Sequence, residues 1–114
     1  MINWKRDATM KVITLGEILL RLSPPADVRL KSTKEFRVCY GGAEANVGIS
    51  LAHFGHDVSV ATVLPQDNPL NDAVSSRLRM NGINTDLVAT EYGRLGTYFL
   101  EQGNAGRASR VTYD

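Results

Sequence analysis

The sequence contains a single cysteine, Cys39, among its 114 residues. One thiol cannot form a disulfide within the chain, and it cannot build a cysteine-based metal site. Cys39 lies in an apolar, strand-like stretch, so we predict that it is a small buried hydrophobic side chain. Residues 1–9 show no apolar segment or cleavage pattern typical of a secretion signal, and the sequence therefore favours a cytoplasmic protein.

Long apolar runs and blocks of like charge are also missing. No apolar run approaches the roughly 20 residues that span a bilayer, so we expect no membrane-spanning helix. The 13 basic and 12 acidic residues leave a formal net charge of +1 and are spread along the chain. Nucleic-acid-binding proteins concentrate basic residues in a patch or stripe, so we expect neither nucleic acid nor membrane as a partner.

No G-x-x-x-x-G-K phosphate-binding loop, internal repeat or low-complexity segment occurs in the sequence. Its composition, 43% hydrophobic and 22% charged, is ordinary for a globular protein. The length suits one domain or a part of a larger domain.

Short apolar runs separated by glycine and proline predict strands in the first third of the chain. Lys11 to Leu15 is a β-branched run typical of a buried strand, and Ile18 to Leu22 is a second apolar run that ends at two prolines. Residues 26–35 are polar and irregular, which indicates a loop or a short edge strand. Phe36 to Tyr40 alternates apolar and polar side chains and predicts a half-buried strand.

A helix is predicted from about Ala43 to Phe54. Three large apolar residues stand at i, i+4 and i+7 and predict its buried stripe: Val47, Leu51 and Phe54. Small residues at neighbouring positions would let the helix pack closely on a sheet: Ala45, Gly48 and Ala52.

A strand at Val58 to Val63 and a second helix at about 69–81 follow. Asn68 is suited to cap this helix, with a proline at the first helical position. The spacing predicts three buried residues on it: Leu70, Val74 and Leu78. Ile83 to Ala89 leads into a further short strand.

Two strand-like segments, 96–101 and 109–113, flank a turn rich in glycine and asparagine and predict a β-hairpin. The order of elements predicts an α/β fold with a parallel sheet and a smaller all-β flap. Two helices are too few to cover both faces of a parallel sheet. We therefore interpret the sequence as the N-terminal part of a longer protein.

The paired glycines Gly41 and Gly42 stand between a strand and a helix. Glycine can adopt positive φ, and it lets a ligand approach the main chain closely. The N–H groups at the start of the helix would point toward such a ligand. A plain tight turn explains the same pattern.

Taken together, these segments resemble the N-terminal part of the ribokinase-like (pfkB) sugar kinases, and within that family the 2-keto-3-deoxygluconate kinase branch. The similarity runs from about residue 11 to 114. It rests on VITLGEILLRLSPP (12–25), GGAEANVGISLAHFG (41–55), INTD (83–86), GTYFLEQG (96–103) and RVTYD (110–114). The loop 65–72 departs from the family pattern, since asparagines stand where glycine and acidic residues are common.

The resemblance implies a doubly wound parallel sheet with a small β-sheet lid over the sugar. Residues 1–10 would then be an N-terminal extension, and residues 11–114 the N-terminal part of a sugar kinase domain. The lid strands would lie at about 18–40 and 96–114. Because lids pair in many relatives, we expect a homo-oligomer formed through these strands.

The chemistry implied by the resemblance is transfer of the γ-phosphoryl group of ATP to a sugar hydroxyl, assisted by Mg²⁺. For this branch the acceptor is the sugar acid 2-keto-3-deoxygluconate and the product is its 6-phosphate. Alternatives are fructokinase- or ribokinase-like specificity, or a non-catalytic dimerisation module built on the lid. The family's general base lies in a Gly-Ala-Gly-Asp motif that is absent here. We therefore expect no catalytic residue, cofactor or metal site in this chain alone.

By resemblance, Gly41, Gly42 and Asn46 would bind sugar hydroxyls, since an amide can both donate and accept. The alternative is that Asn46 satisfies the backbone at the helix start. Tyr98 and Tyr113 would close over the ligand, or else belong to the lid core or a dimer interface.

Five charged or titratable positions complete the set of candidates. Glu17 follows the first strand, where open α/β sheets bind ligands, and would accept a sugar hydroxyl or remain a solvated turn residue. Arg107 and Arg110 would offer charge to a substrate carboxylate or be solvated. His53 and His56 flank a helix end, where the helix dipole explains them better than catalysis or metal binding.

Overall fold

The computed structural model describes residues 9–104 and 106–114. Residues 1–8, most of the predicted N-terminal extension, lie outside the described residues. The chain divides into two compact units. The first unit comprises Met1–Ile18 and Gly42–Arg94, and the second comprises Leu19–Gly41 and Leu95–Asp114.

Seven strands and two α-helices are described. In chain order they are β1 (Lys11–Leu15), β2 (Leu19–Ser23), β3 (Arg37–Gly41), α1 (Ala43–His53), β4 (Asp57–Pro65), α2 (Leu70–Met80), β5 (Val88–Glu91), β6 (Thr97–Glu101) and β7 (Arg110–Tyr113). Each α-helix has 11 residues, and no helix of the described chain combines the length and hydropathy needed to cross a membrane. The cytoplasmic location and the lack of nucleic-acid partners stay predictions.

The first unit is built on a parallel sheet with the strand order β1-β4-β5. Lys11 pairs with Asp57, and the register continues to Leu15 opposite Ala61. Alternate residues of β4 are buried because one face of this strand carries the core: Val58, Val60, Thr62 and Leu64. The predicted parallel sheet with helices is confirmed.

Helix α1 packs on β1 and β4 through its small residues. Ala45 and Gly48 are buried, whereas Val47 is 56% and Phe54 80% exposed. The predicted buried stripe of large residues is therefore wrong. The prediction fails because helix α1 approaches the sheet closely: a Cβ on Gly48 would lie 3.3 Å from both Thr14 Oγ1 and Val58 Cγ1. At that distance only the small-residue side of the helix fits against the sheet.

Helix α2 begins as its sequence predicts. Asn68 Oδ1 accepts a hydrogen bond from the Leu70 N–H at 2.8 Å, and Pro69 already has helical dihedral angles. Val74 and Leu78 are buried, while Leu70 is half-buried. Gly82, at φ +80°, follows the helix end in the left-handed region that glycine tolerates.

The second unit is a four-stranded sheet with the order β3-β2-β6-β7. Strands β6 and β7 pair antiparallel and form the predicted hairpin, while β2 pairs antiparallel with β3 and parallel with β6. Residues 26–35 form no strand and contain a short 3₁₀ helix, Leu30–Ser32. The Glu101 carboxylate accepts the Leu30 N–H at 2.7 Å and holds this segment beside β6.

Two smaller predictions need correction. Cys39 is half-buried because β3 lies at the edge of its sheet, where one side lacks a neighbouring strand. The strand expected within Ile83 to Ala89 begins only at Val88. Before it, Asn84 makes an isolated bridge to Ser59, and its side chain accepts the Asp86 N–H in a local turn.

Candidate functional site

The glycine pair lies at the boundary between strand β3 and helix α1. Gly41 is the last residue of β3 and pairs with Leu19, and Gly42 is the residue just before the helix. Gly42 has φ −179° and ψ 160°, an extended conformation that every residue type adopts. Positive φ is therefore not the reason for glycine at position 42. Glycine is needed for another reason, because a Cβ there would collide with the Glu17 carbonyl oxygen.

A second close approach lies beside the first turn of α1. A Cβ on Gly16 would collide with the Glu44 side chain, so the carboxylate of Glu44 lies directly over the end of β1. A carboxylate in the first turn interacts favourably with the helix dipole. It also repels an incoming anion, so this helix start is better suited to neutral hydroxyl groups than to phosphate.

Asn46 lies on the first turn of α1, where its N–H donates to the Gly42 carbonyl at 2.9 Å. Its side chain is exposed and makes no hydrogen bond to any residue that the structure describes. The alternative in which this amide satisfies the backbone at the helix start is therefore not what the structure shows. Both polar atoms of the amide are available to a ligand.

Glu17 is exposed at the carboxyl end of β1 and belongs, like Gly42 and Asn46, to the first unit. Its carbonyl oxygen approaches Gly42, while its carboxylate has no hydrogen-bond partner among residues 9–104 and 106–114. The side chain is therefore available to solvent or to a hydroxyl donor.

A shallow concavity of about 400 Å³ opens beside these residues. It is lined by Thr14, Leu15, Ala43, Glu44 and Val47. Its surface is mostly apolar, and Thr14 Oγ1 is buried there without a hydrogen-bond partner in the described chain. None of the predicted site residues lines it, and its single carboxylate makes it unsuited to phosphate.

Tyr98 and Tyr113 are brought together within the second unit. They pair directly across β6 and β7, and their ring centroids lie 5.8 Å apart at an interplanar angle of 37°. Tyr98 is half-buried and Tyr113 is 73% exposed, so Tyr113 does not belong to a core within this unit. The pair offers two aromatic faces and two hydroxyl groups to a ligand.

The two arginines of the hairpin lie away from this pair. Arg107 is at the turn, where its guanidinium donates to the Gln102 carbonyl at 3.3 Å. Arg110 alternates with Tyr113 along β7 and therefore projects from the opposite face of the sheet. There it lines a cavity of about 440 Å³ together with Arg29, Leu30, Lys31, Glu101 and Thr112.

Arg21 is a polar residue of this sheet that the sequence analysis missed. It stands within the apolar run of β2 and pairs with Cys39 on one side and Tyr98 on the other. Its Nε is buried and has no hydrogen-bond partner among the described residues. A lone charge inside an otherwise apolar strand was the available signal, since such charges are rarely buried without a partner.

No group of three or more His, Cys, Asp or Glu side chains in the described chain is placed to hold a metal. His53 is exposed in the last turn of α1, and His56 Nδ1 accepts the Met10 N–H at 3.2 Å. Apart from the arginines, the candidates are an amide, two phenols and a single carboxylate, which suit a polyol better than a polyphosphate.

Comparison with known proteins adds a family relationship. The model of the pfkB family carbohydrate kinases matches residues 9–114. A 2-dehydro-3-deoxygalactonokinase from Haloferax volcanii is 34% identical over 106 residues, which are 93% of this chain and 33% of that protein.

Solved structures show the same similarity. The 2-dehydro-3-deoxygluconokinase of Thermotoga maritima superposes with a TM-score of 0.87 at 52% identity, over 92% of this chain and 32% of that one. A putative 2-keto-3-deoxygluconate kinase from Enterococcus faecalis gives a TM-score of 0.87 at 33% identity, over 93% and 31% of the two chains. The chain thus spans about a third of the length of these relatives.

Proposed function

Since this chain belongs to the pfkB family of carbohydrate kinases, we propose that it is the N-terminal part of an ATP-dependent kinase for 2-keto-3-deoxygluconate. The observation that carries the proposal is the 52% identity, over 92% of the chain, to a protein named 2-dehydro-3-deoxygluconokinase. The galactonate-named relative is less similar, at 34% identity, so we favour the gluconate epimer. The product would be the 6-phosphate.

The residues of the first unit would contribute to binding of the sugar. The backbone of Gly42 and the amide of Asn46 would bind hydroxyls, and Glu17 would accept a further hydroxyl proton. Support comes from the unpaired Asn46 and Glu17 side chains and from the carboxylate of Glu44, which disfavours phosphate at this helix start.

The second unit would contact the sugar through its two paired tyrosines. Tyr98 and Tyr113 would place their rings against sugar carbons and their hydroxyls near sugar oxygens. Gly41, at the end of β3, would offer its backbone. The exposure of Tyr113 and the contact between the two rings support this assignment.

We use the term parent kinase for the longer polypeptide that we propose contains these 114 residues. ATP and Mg²⁺ would be bound by the remaining two thirds of this parent kinase. The Gly-Ala-Gly-Asp motif is absent from this sequence, and the described residues hold no metal-binding cluster. We therefore predict that the 114-residue chain alone transfers no phosphoryl group, because it supplies neither the general base nor a site for the nucleotide.

The experiment compares the purified 114-residue chain with the parent kinase. Both are assayed for ATP-dependent phosphorylation of 2-keto-3-deoxygluconate, its galactonate epimer, fructose and ribose. We expect activity only from the parent and the highest kcat/KM for 2-keto-3-deoxygluconate. Turnover by the short chain of verified mass would refute its assigned role, and a preference for fructose or ribose would favour the alternative specificity.

We also propose that the parent kinase is a homo-oligomer that associates through strands of the second unit. Val38 on the edge strand β3 leaves 54% of its surface exposed, and Phe36, just before this strand, leaves 40% exposed. An exposed apolar edge strand favours pairing with another chain. Sedimentation of the parent and of Val38→Asp would test this, with Arg37→Gln as the control because it changes the net charge by the same single unit. A monomeric parent at all concentrations would exclude both association and a dimerisation module.

A further inference from the structure

Two arginines of the second unit, Arg21 and Arg107, have a buried Nε without a hydrogen-bond partner among the described residues, but only Arg107 bonds through another guanidinium nitrogen. Strand β2 is flanked on both sides, by β3 and by β6, so Arg21 lies in the interior of the sheet. Its Nε is buried and has no hydrogen-bond partner in the part of the chain that the structure describes. Burying a donor of a charged group without a partner is costly, so such a group normally has a counterpart.

Four residues form a row across all four strands of this sheet. Their order is Cys39 on β3, Arg21 on β2, Tyr98 on β6 and Tyr113 on β7, and each pairs with the next. Paired residues of neighbouring strands project from the same face, and the strands are about 4.8 Å apart. Arg21 is therefore beside the tyrosine pair and on its face of the sheet. We call these four residues the Arg21 row.

The Arg21 row has a positive charge that none of its members balances. Its other side chains are a thiol and two phenols. Glu101 alternates with Tyr98 along β6 and belongs to the opposite face, where it lines the cavity with Arg110. An anion that balances the charge of Arg21 on this face would therefore have to come from outside the row.

A carboxylate matches this arrangement best. The planar guanidinium donates two parallel hydrogen bonds to a carboxylate, which a single ammonium group cannot do. The two phenols supply further donors and an aromatic surface for the carbon chain of the ligand. Arg107 bonds to its own turn and Arg110 lies on the other face, so neither shares this surface.

We propose that Arg21 binds the carboxylate of the sugar-acid substrate and thereby selects acids over neutral sugars. This inference rests on the proposed function and adds a substrate-binding residue to it. It assigns the polar end of the substrate to Arg21 and the neighbouring carbons and hydroxyls to Tyr98 and Tyr113.

The experiment uses the parent kinase with Arg21→Gln and Arg21→Lys. Steady-state kinetics are measured with 2-keto-3-deoxygluconate and with its carboxamide, which differs only in lacking the charge. For Arg21→Gln we expect kcat/KM to fall about 10- to 100-fold for the acid, as for loss of a charged hydrogen bond, and less than about threefold for the amide. Arg21→Lys should recover part of the loss, because it restores the charge without the bidentate geometry.

Arg110→Gln is the matched control, since it removes an arginine from the opposite face of the same sheet. Its ratio of acid to amide kcat/KM should equal that of the wild type. Three results would overturn the role of Arg21: unchanged kinetics in Arg21→Gln, equal losses on acid and amide, or a lower melting temperature with an unchanged ratio. The last would assign Arg21 to a structural ion pair with another part of the parent kinase.

The wild-type enzyme separates this inference from the proposed function. A wild type without preference for 2-keto-3-deoxygluconate over neutral sugars would overturn the proposed function. A wild type that prefers the acid, and keeps this preference in Arg21→Gln, would overturn only the role of Arg21.

Discussion

The two units of the chain use their apolar residues differently. Among the described residues, every buried apolar side chain except those of Pro24 and Leu95 belongs to the first unit. In the second unit all residues of β6 are half-buried, and all of β7 are exposed. The first unit is therefore held together by a core, whereas the second presents most of its side chains on surfaces.

What stabilises the second unit in place of a core is its backbone ladder and its aromatic contacts. Phe36 and Phe99 approach with ring centroids 5.7 Å apart, and Tyr98 and Tyr113 with centroids 5.8 Å apart. Each such pair contributes about 0.5–1.5 kcal/mol beyond its burial. A sheet stabilised in this way can expose charged and aromatic residues to a ligand with little loss of stability.

Truncating one leucine in each unit should give the largest change in stability, and it tests whether only the first unit depends on a core. Leu64 on β4 is 2% exposed and Leu100 on β6 is half-buried. Leu64→Ala should lower the free energy of unfolding of the parent kinase by about 3 kcal/mol, because it removes buried area and leaves a cavity. Leu100→Ala should cost about 1 kcal/mol, in proportion to its smaller buried area. Chemical denaturation of both variants gives the comparison.

Equal costs at the two leucines would contradict the difference between the units. They would mean that Leu100 is buried in the parent kinase by a segment or a second copy that this chain does not contain. Val111→Ala is a control on the neighbouring strand, and because Val111 is 47% exposed its cost should be below that of Leu100→Ala.

The sequence predicted best those features that depend on local chemistry. Asn68 caps α2 as expected, and Gly55 and Gly82 follow the two helices at φ +94° and +80°. Strand β1 and the β6–β7 hairpin lie where apolar runs and turn residues indicated. Each of these signals involves residues within a few positions of one another. The predicted burial of β1 is wrong, because this strand lies at the edge of the described sheet and leaves Ile13 and Leu15 65% and 76% exposed.

The errors arose where residues far apart in the sequence determine the outcome. Val47 and Phe54 have helical spacing, yet Gly48 lies against β1 and β4 and the small side of α1 is buried. Glycine is needed at position 42 because the Glu17 carbonyl approaches it closely. The sequence alone cannot distinguish this reason for a glycine from a need for positive φ. Arg21 gains its neighbours only through the register of β2 with β6.

The smallest change in stability is expected for two asparagines of the first unit. Replacing each by alanine distinguishes a structural asparagine from one that binds a ligand. Asn68 Oδ1 accepts the Leu70 N–H, so Asn68→Ala should cost about 1 kcal/mol of stability and leave the KM for sugar unchanged. The side chain of Asn46 has no partner among the described residues. Asn46→Ala should therefore change stability by less than about 0.5 kcal/mol, since alanine also favours the helix, and should raise KM for 2-keto-3-deoxygluconate.

Denaturation midpoints and KM values of both variants of the parent kinase distinguish these roles, and each variant is the control for the other. A stability loss in Asn46→Ala with unchanged KM would make Asn46 a structural residue, contrary to its unpaired side chain in this chain. If both variants raised KM alike, the first turn of α1 and the loop before α2 would act as one substrate-binding surface. The difference between the two asparagines would then lie in local hydrogen bonding alone.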